Sequence, residues 1–153
     1  MNIFSFTAHF GSEEDCRLHF KEQRDKEGVV CKRCGGTSHY WLQGKWSYEC
    51  KGCRFRTSLR SGTIMESSKL PFLVWYKTMF LMSCTKKGFS TNELQKQLGL
   101  KRYEPVWAMV HKLRRAMANR DARYTLEGMI ELDEGYFSVA SKEIERGKGT
   151  RGR

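Results

Sequence analysis

Residues 31–53 read CKRCGGTSHYWLQGKWSYECKGC, with the pairs Cys31/Cys34 and Cys50/Cys53 on either side of a short aromatic segment. Two residues between the cysteines of a pair let a tight turn aim both sulfurs at one ion, and two such turns supply the four thiolates of a closed tetrahedral zinc centre. The 15 residues from Gly35 to Glu49 that separate the pairs fit a four-cysteine site. Gly35, Gly36 and Gly52 offer the freedom of φ that sharp turns need. Between the pairs, HYWL (39–42) and KWSYE (45–49) are β-forming runs around Gln43-Gly44, a hairpin pattern. The unit reads as a zinc ribbon. Four thiolates leave no open coordination position, so the metal is expected to hold the fold and not to catalyse.

The other readings of these cysteines are structural disulfides or a reducible thiol pair. The N-terminal MNIFSFTAHF has no basic start, apolar core and small-residue cleavage site, so a reducing, cytoplasmic compartment is expected and disulfides are not. His19 and His39 are spare metal-ligand candidates that a completed four-sulfur set does not need. Cys16 and Cys84 lack partners at ligand spacing and read as small buried apolar residues.

Charge narrows the partner. The net charge of +11 over 153 residues is concentrated: residues 31–130 hold nineteen Lys/Arg against six Asp/Glu, whereas residues 1–30 hold four against six and residues 131–153 five against five. Interleaved with Trp, Tyr and His, such a basic span suits a polyanion, because each neutralised phosphate releases counterions. A solvated basic surface is the plainer alternative. No apolar run is long enough for a membrane span, so no membrane partner is expected.

Upstream of the ribbon, residues 1–11 read as irregular and aromatic. Ser12 and Asp15 then form a capping box for an amphipathic helix over EEDCRLHFKEQRDKE, stopped at Gly28. Downstream, Phe55, Thr57 and Leu59 alternate with Arg54, Arg56 and Ser58 as a third strand with its arginines outward. Pro71 is pre-set for the first turn of a buried helix carrying Phe72, Trp75, Tyr76, Met79, Phe80 and Met82, which stops at Lys86-Lys87-Gly88. Ser90 and Glu93 box the start of a short helix ending at Gly99. A turn through Lys101 and Arg102 leads to a third helix with Val106, Met109, Val110, Leu113 and Met117 on one side.

This succession reads as a helix-turn-helix whose last helix lies in a DNA major groove. Lys101, Arg102 and Tyr103, with Glu104, would then stand near base edges. His111, Lys112, Arg114 and Arg115 would follow along the phosphates. A three-helix bundle with a solvated basic face is the structural alternative. Further on, Met129, Ile130 and Leu132 give LEGMIELDEGYF strand character, and Asp133 is a candidate ligand for a hard divalent ion because a carboxylate in a buried strand needs a cation or a partner.

From Ser12 to Phe137 the order of pieces resembles the N-terminal part of bacterial insertion-sequence transposases that join a zinc ribbon to a ribonuclease-H-like domain with an Asp-Asp-Glu or Asp-Asp-Asn acidic set. The resemblance rests on EEDC (13–16), CKRCGG (31–36), ECKGCRFRTS (49–58), SGTIMESSKLP (61–71), SCTKKGFSTNELQKQLGL (83–100), VWAMVHKLRRAM (106–117) and ELDEGYF (131–137). It implies DNA transposition: binding of double-stranded DNA at the element's terminal inverted repeats, then magnesium-dependent strand cleavage and transfer by a homo-oligomer. Cys31, Cys34, Cys50 and Cys53 match that family's zinc ligands, and Asp133 matches its first catalytic acid.

The expected fold is therefore α+β. An N-terminal helical segment (1–28) precedes the zinc ribbon (29–66), a helix-turn-helix three-helix unit (67–124) and the first strand of a truncated ribonuclease-H-like domain (125–153). Nothing after Asp133 supplies the later acids, so the polypeptide alone is expected neither to cleave nor to join DNA, as a fragment of a transposase or the product of a truncated gene. Two readings from other classes stay open. One is a non-catalytic transcriptional regulator of the same build; the other is a ribbon that grips a protein, with basic helices serving RNA.

Overall fold

The computed structural model describes residues 2–84 and 88–122. Five helices and a three-stranded antiparallel sheet follow in the order α1 (Ile3–His9), α2 (Glu13–Glu27), β1 (His39–Leu42), β2 (Ser47–Cys50), β3 (Arg56–Ser58), α3 (Phe72–Cys84), α4 (Thr91–Gln97) and α5 (Tyr103–Asp121). The fold is the expected mixture of small sheet and helices. The strand from ELDEGYF lies outside the described residues.

The start of the chain differs from the irregular segment expected. Asn2 caps α1 by accepting the Ser5 N–H at 2.8 Å, and buried Phe6 stacks on Phe80 of α3 with ring centroids 4.4 Å apart. For α2 the expected box is complete: Ser12 Oγ accepts the Asp15 N–H at 3.1 Å and the Asp15 carboxylate accepts the Ser12 N–H at 3.0 Å. Gly28 ends the helix at φ 82°, where a side chain would be strained.

In the ribbon the sheet order is β1-β2-β3, with Trp41 opposite Tyr48 and Tyr48 opposite Thr57. Tyr48 and Thr57 form the inner face, and α2 is tied to it by the Tyr48 hydroxyl, which donates to the Asp25 carboxylate at 2.8 Å. The alternation expected for the third strand holds at buried Thr57 and Leu59 but stops at Phe55, which is half-exposed before the strand begins. Arg56 points outward as expected and pairs with Glu49 across the sheet at 2.8 Å.

The ribbon has no core of its own. Tyr48, Leu59 and Met65 belong to one apolar cluster with Cys16 of α2, Phe72, Trp75 and Tyr76 of α3, Leu94 of α4 and Val106, Met109, Val110 and Leu113 of α5. Leu94, Val106 and Val110 are fully buried, so the expected inner faces of α4 and α5 are the observed ones. Met117 and Cys84, expected in the core, are exposed, because both stand at the far ends of their helices beyond the packed partners.

A carboxylate also joins the segments before and after the ribbon. The carboxylate of Glu13, in the first turn of α2, accepts the N–H groups of Phe72 at 3.1 Å and Leu73 at 2.9 Å, while holding Arg17 at 3.0 Å. It therefore caps α3, whose first amides have no partner within the helix. Replacing Glu13 with Ala is expected to lower stability by about 1–2 kcal/mol, as removal of a helix cap does. Glu13→Gln, which keeps an acceptor, loses less. Urea unfolding of the three proteins measures this, and equal midpoints would refute the capping role.

Candidate functional site

The two Cys-x-x-Cys turns are built alike. In the first, the Gly35 N–H donates to the Cys31 carbonyl at 2.9 Å and the Cys31 N–H to the Gly36 carbonyl at 2.9 Å. In the second, the Arg54 N–H donates to the Cys50 carbonyl at 2.9 Å and the Cys50 N–H to the Phe55 carbonyl at 3.0 Å. The fourth residue after the leading cysteine is left-handed in both, Gly35 at φ 72° and Arg54 at φ 56°.

This corrects the part the sequence reading gave to the glycines. Only Gly35 of the three takes positive φ, and in the second turn that place falls to an arginine. Gly36 serves a different need: a Cβ there would stand 3.4 Å from Cys34 Sγ and 3.5 Å from Cys50 Sγ. Its missing side chain leaves the sulfurs room to converge.

The four sulfurs lie within 4.8 Å of one another, with Cys31 and Cys53 at 3.5 Å and Cys34 and Cys50 at 3.5 Å. A tetrahedron of Zn–S bonds of about 2.3 Å has edges of roughly 3.8 Å, so the set fits zinc. A disulfide needs about 2.05 Å, and all six cysteines are free thiols.

Backbone amides prepare the sulfurs for charge. Burial opposes ionisation of Cys31, but the amides of Cys34 and Arg33 outweigh it and lower the thiol to about 6. At Cys50 the amide of Cys53 leads and the thiol is again lowered. At Cys34 the Gly36 amide favours the thiolate, yet the three surrounding sulfurs push the thiol up to about 12. Without metal, four thiolates cannot share so small a space. A dication removes that conflict.

The remaining candidates stand apart from this centre. His19 Nδ1 meets the Tyr76 hydroxyl at 2.8 Å, and His39 Nδ1 lies 3.0 Å from the Thr37 carbonyl. Cys16 is fully buried and its thiol is pushed up to about 11 by that burial, with Glu13 and Asp15 adding to it, which suits a packing residue.

The basic residues of α5 fall into two groups. Tyr103, Trp107 and His111 stand at successive turns on the exposed side, with the Trp107 and His111 rings 4.1 Å apart, and Arg115 is exposed one turn further on. Lys101 and Arg102 are exposed just before the helix, in a turn held by Gln95 Nε2, which donates to the carbonyls of Leu100 and Lys101 at 3.0 and 3.3 Å. Lys112 and Arg114 are engaged with backbone: Lys112 Nζ donates to the Glu66 carbonyl at 2.6 Å and an Arg114 guanidinium nitrogen to the Phe89 carbonyl at 3.0 Å.

Glu66 also receives Lys32 of the first cysteine turn at 2.6 Å, so this linker residue ties the ribbon to α5. Beside it, Lys112, Arg115, Asn119 and Arg120 line a cleft of about 750 Å³ with Gly62, Thr63, Ile64, Glu66 and Ser67. Sequence reading omitted Trp107, which falls off the apolar stripe of α5. An aromatic off that stripe, one turn from Tyr103 and from His111, was the available signal. Asp133 lies outside the described residues.

Comparison with known proteins agrees with the sulfur site. Residues 11–56 match the family model described as the transposase zinc-ribbon domain of the IS1595 type. The chain is 28% identical over 148 residues to an uncharacterized protein in the transposable element ISH50 of Halobacterium salinarum, an alignment covering 94% of this chain and 48% of that protein. It thus spans about half the length of this curated relative. No solved structure matches. No helix among the described residues is long and apolar enough to cross a membrane. With four sulfurs converged on one point and a match to a transposase zinc ribbon around them, the chain looks like the N-terminal part of an insertion-sequence transposase.

Proposed function

We propose that this chain is the DNA-binding part of an insertion-sequence transposase, and that it recognises the element's terminal inverted repeats. The observation that carries this reading is the division of α5: Val106, Met109, Val110 and Leu113 are buried while Tyr103, Trp107, His111 and Arg115 face solvent. With α4 and the Gln95-braced turn before it, α5 has the build of a recognition helix in a helix-turn-helix. Its first residues, Lys101, Arg102 and Tyr103, meet base edges in the major groove, while His111 and Arg115 follow the phosphates. Lys112 and Arg114 hold α5 against the linker and the loop before α4, and their remaining donors reach the backbone of the duplex.

Zinc in the closed four-sulfur set supplies a crosslink and no catalysis. Cys31, Cys34, Cys50 and Cys53 hold it, and through Lys32 and Glu66 the ribbon steadies the linker beside α5. In the whole transposase, Asp133 is the first acid of a magnesium-dependent nuclease domain, and the assembled enzyme is a homo-oligomer. Cleavage and joining require acids beyond Asp133.

Arg115→Ala tests the phosphate role. Affinity for every duplex is expected to fall alike, and the slope of log K against log salt to flatten by about 0.9, one phosphate's worth. Fluorescence anisotropy across a salt series measures both quantities. A loss confined to one sequence would contradict phosphate contact. Inverted repeats bounding the locus separate the transposase from a regulator, which requires a promoter-type palindrome instead.

A further inference from the structure

A second basic cleft lies away from α5, where the ribbon meets α2 and the start of α3. It holds about 400 Å³ and its lining includes Arg17, Lys45, Trp46, Arg60, Lys69 and Phe72. Among the described residues no carboxylate lines it. Glu13 pairs with Arg17 at 3.0 Å and is already shared with two amides of α3. Among the described residues, Lys45, Arg60 and Lys69 take part in no ion pair.

The two arginines are held in place. The Arg17 guanidinium lies 5.4 Å from the Trp46 ring and 5.9 Å from Phe72, and that of Arg60 lies 4.1 Å from the same Phe72 ring. Arg60 also donates to the Ser68 carbonyl. Burial disfavours the charge of Arg60, and Arg17 beside it adds to that effect against the help of Glu13. One carboxylate, Glu13, is shared among Arg17 and two amides of α3, so it balances only part of the charge that Arg17, Lys45, Arg60 and Lys69 bring to the cleft.

The backbone at the cleft is also unusual. Trp46 is left-handed at φ 46° and ψ 48°, a conformation that is costly for a bulky residue, and the Leu59 N–H holds its carbonyl at 3.2 Å. Strain of this kind persists where the surroundings over-determine a position. Here it sets the indole beside the cationic floor.

We propose that this cleft binds the sugar-phosphate backbone of DNA as a second contact, separate from α5, with Lys45 and Lys69 reaching phosphates over the floor formed by Arg17 and Arg60. The inference rests on the DNA-binding reading above and adds to it a surface on the ribbon. The segment between Arg60 and Lys69 joins the two clefts, since Gly62–Ser67 borders the one against α5. A duplex bound along that segment would be gripped at both. The contact carries no base readout, because its donors are exposed lysines and guanidinium groups occupied by ring faces.

The test compares wild-type protein, the Lys45→Ala/Lys69→Ala double variant and Arg115→Ala on two duplexes of unrelated sequence, by anisotropy across a salt series. Both lysines are exposed, so the fold is expected to survive, and zinc content with circular dichroism checks this. The double variant is expected to lose roughly tenfold in affinity at 0.15 M salt on both duplexes and to flatten the salt slope by about 1.8. If wild type binds and Arg115→Ala weakens it while the double variant is unchanged, the cleft is overturned and the α5 reading stands. If wild type binds neither duplex, both fall. Inorganic pyrophosphate, followed through the Trp46 indole resonance, covers the remaining source. A shift there with an unchanged DNA slope would make the cleft a small-anion site and overturn the proposal.

Discussion

Replacing Cys50 with serine abolishes zinc retention and unfolds the ribbon. Apparent binding energies of about 10–16 kcal/mol are usual for structural zinc, and in so small a sheet that energy is folding energy. The strands hold four, four and three residues, too few for independent stability. The Cys50 carbonyl and amide that close the second cysteine turn remain in the variant, but without the metal those two backbone bonds alone hold that turn. Because Tyr48, Leu59 and Met65 share a cluster with Trp75 and Phe72, the damage spreads to the first turn of α3. The expected result is one zinc per chain in the wild type and none in the variant, with loss of near-ultraviolet dichroism from Trp41, Trp46 and Tyr48. Native protease resistance in a zinc-free variant would contradict the assignment.

The second large effect is in the core. Trp75 is fully buried and its indole N–H donates to Ser68 Oγ at 3.2 Å, so Trp75→Ala leaves a cavity and takes from that hydroxyl one of its two donors, the other being the Leu70 N–H at 3.3 Å. Such truncations cost about 3–5 kcal/mol, a large part of the roughly 5–15 kcal/mol that holds a domain together. Trp107→Ala removes the same ring from an exposed site and is expected to change stability by less than about 0.5 kcal/mol. Urea midpoints give the comparison. Similar losses in the two variants would place Trp107 in the core and undo the orientation of α5.

The sulfur centre was legible because its signal is local. Cysteine spacing sets what a turn can reach, and no distant part of the chain is needed to bring each pair together. The glycines were only half legible for the same reason. A turn of this type takes left-handed φ at the fourth residue after its leading cysteine, but the turn's own hydrogen bonds can hold an arginine there, as they do at Arg54. Gly36 was rightly suspected and wrongly explained. Its role is to leave space beside Cys34 and Cys50, which spacing does not reveal.

Long-range contacts account for the rest. The segment IFSFTAH has weak helix propensity, and α1 forms because Phe6 packs on Phe80 and Phe10. Glu13 was legible as a partner of its own helix dipole; its caps on Phe72 and Leu73 span 59 and 60 residues and were not. Periodicity marked the inner faces of α3 and α5 correctly but could not show where the neighbouring helices end, hence exposed Met117 and Cys84. The same limit hid Lys112 and Arg114. Composition marks them as charge, whereas their hydrogen bonds to Glu66 and Phe89 make them braces first.

The most direct test of the account is equilibrium binding of the zinc-loaded chain to a duplex bearing the element's terminal inverted repeat and to a scrambled duplex of equal length, at one fixed salt concentration. Binding to the repeat is expected to be tighter by at least about tenfold, the scale of one good base contact, with the preference lost in Lys101→Ala/Arg102→Ala. Equal affinity for the two duplexes, or no binding to either, would contradict it.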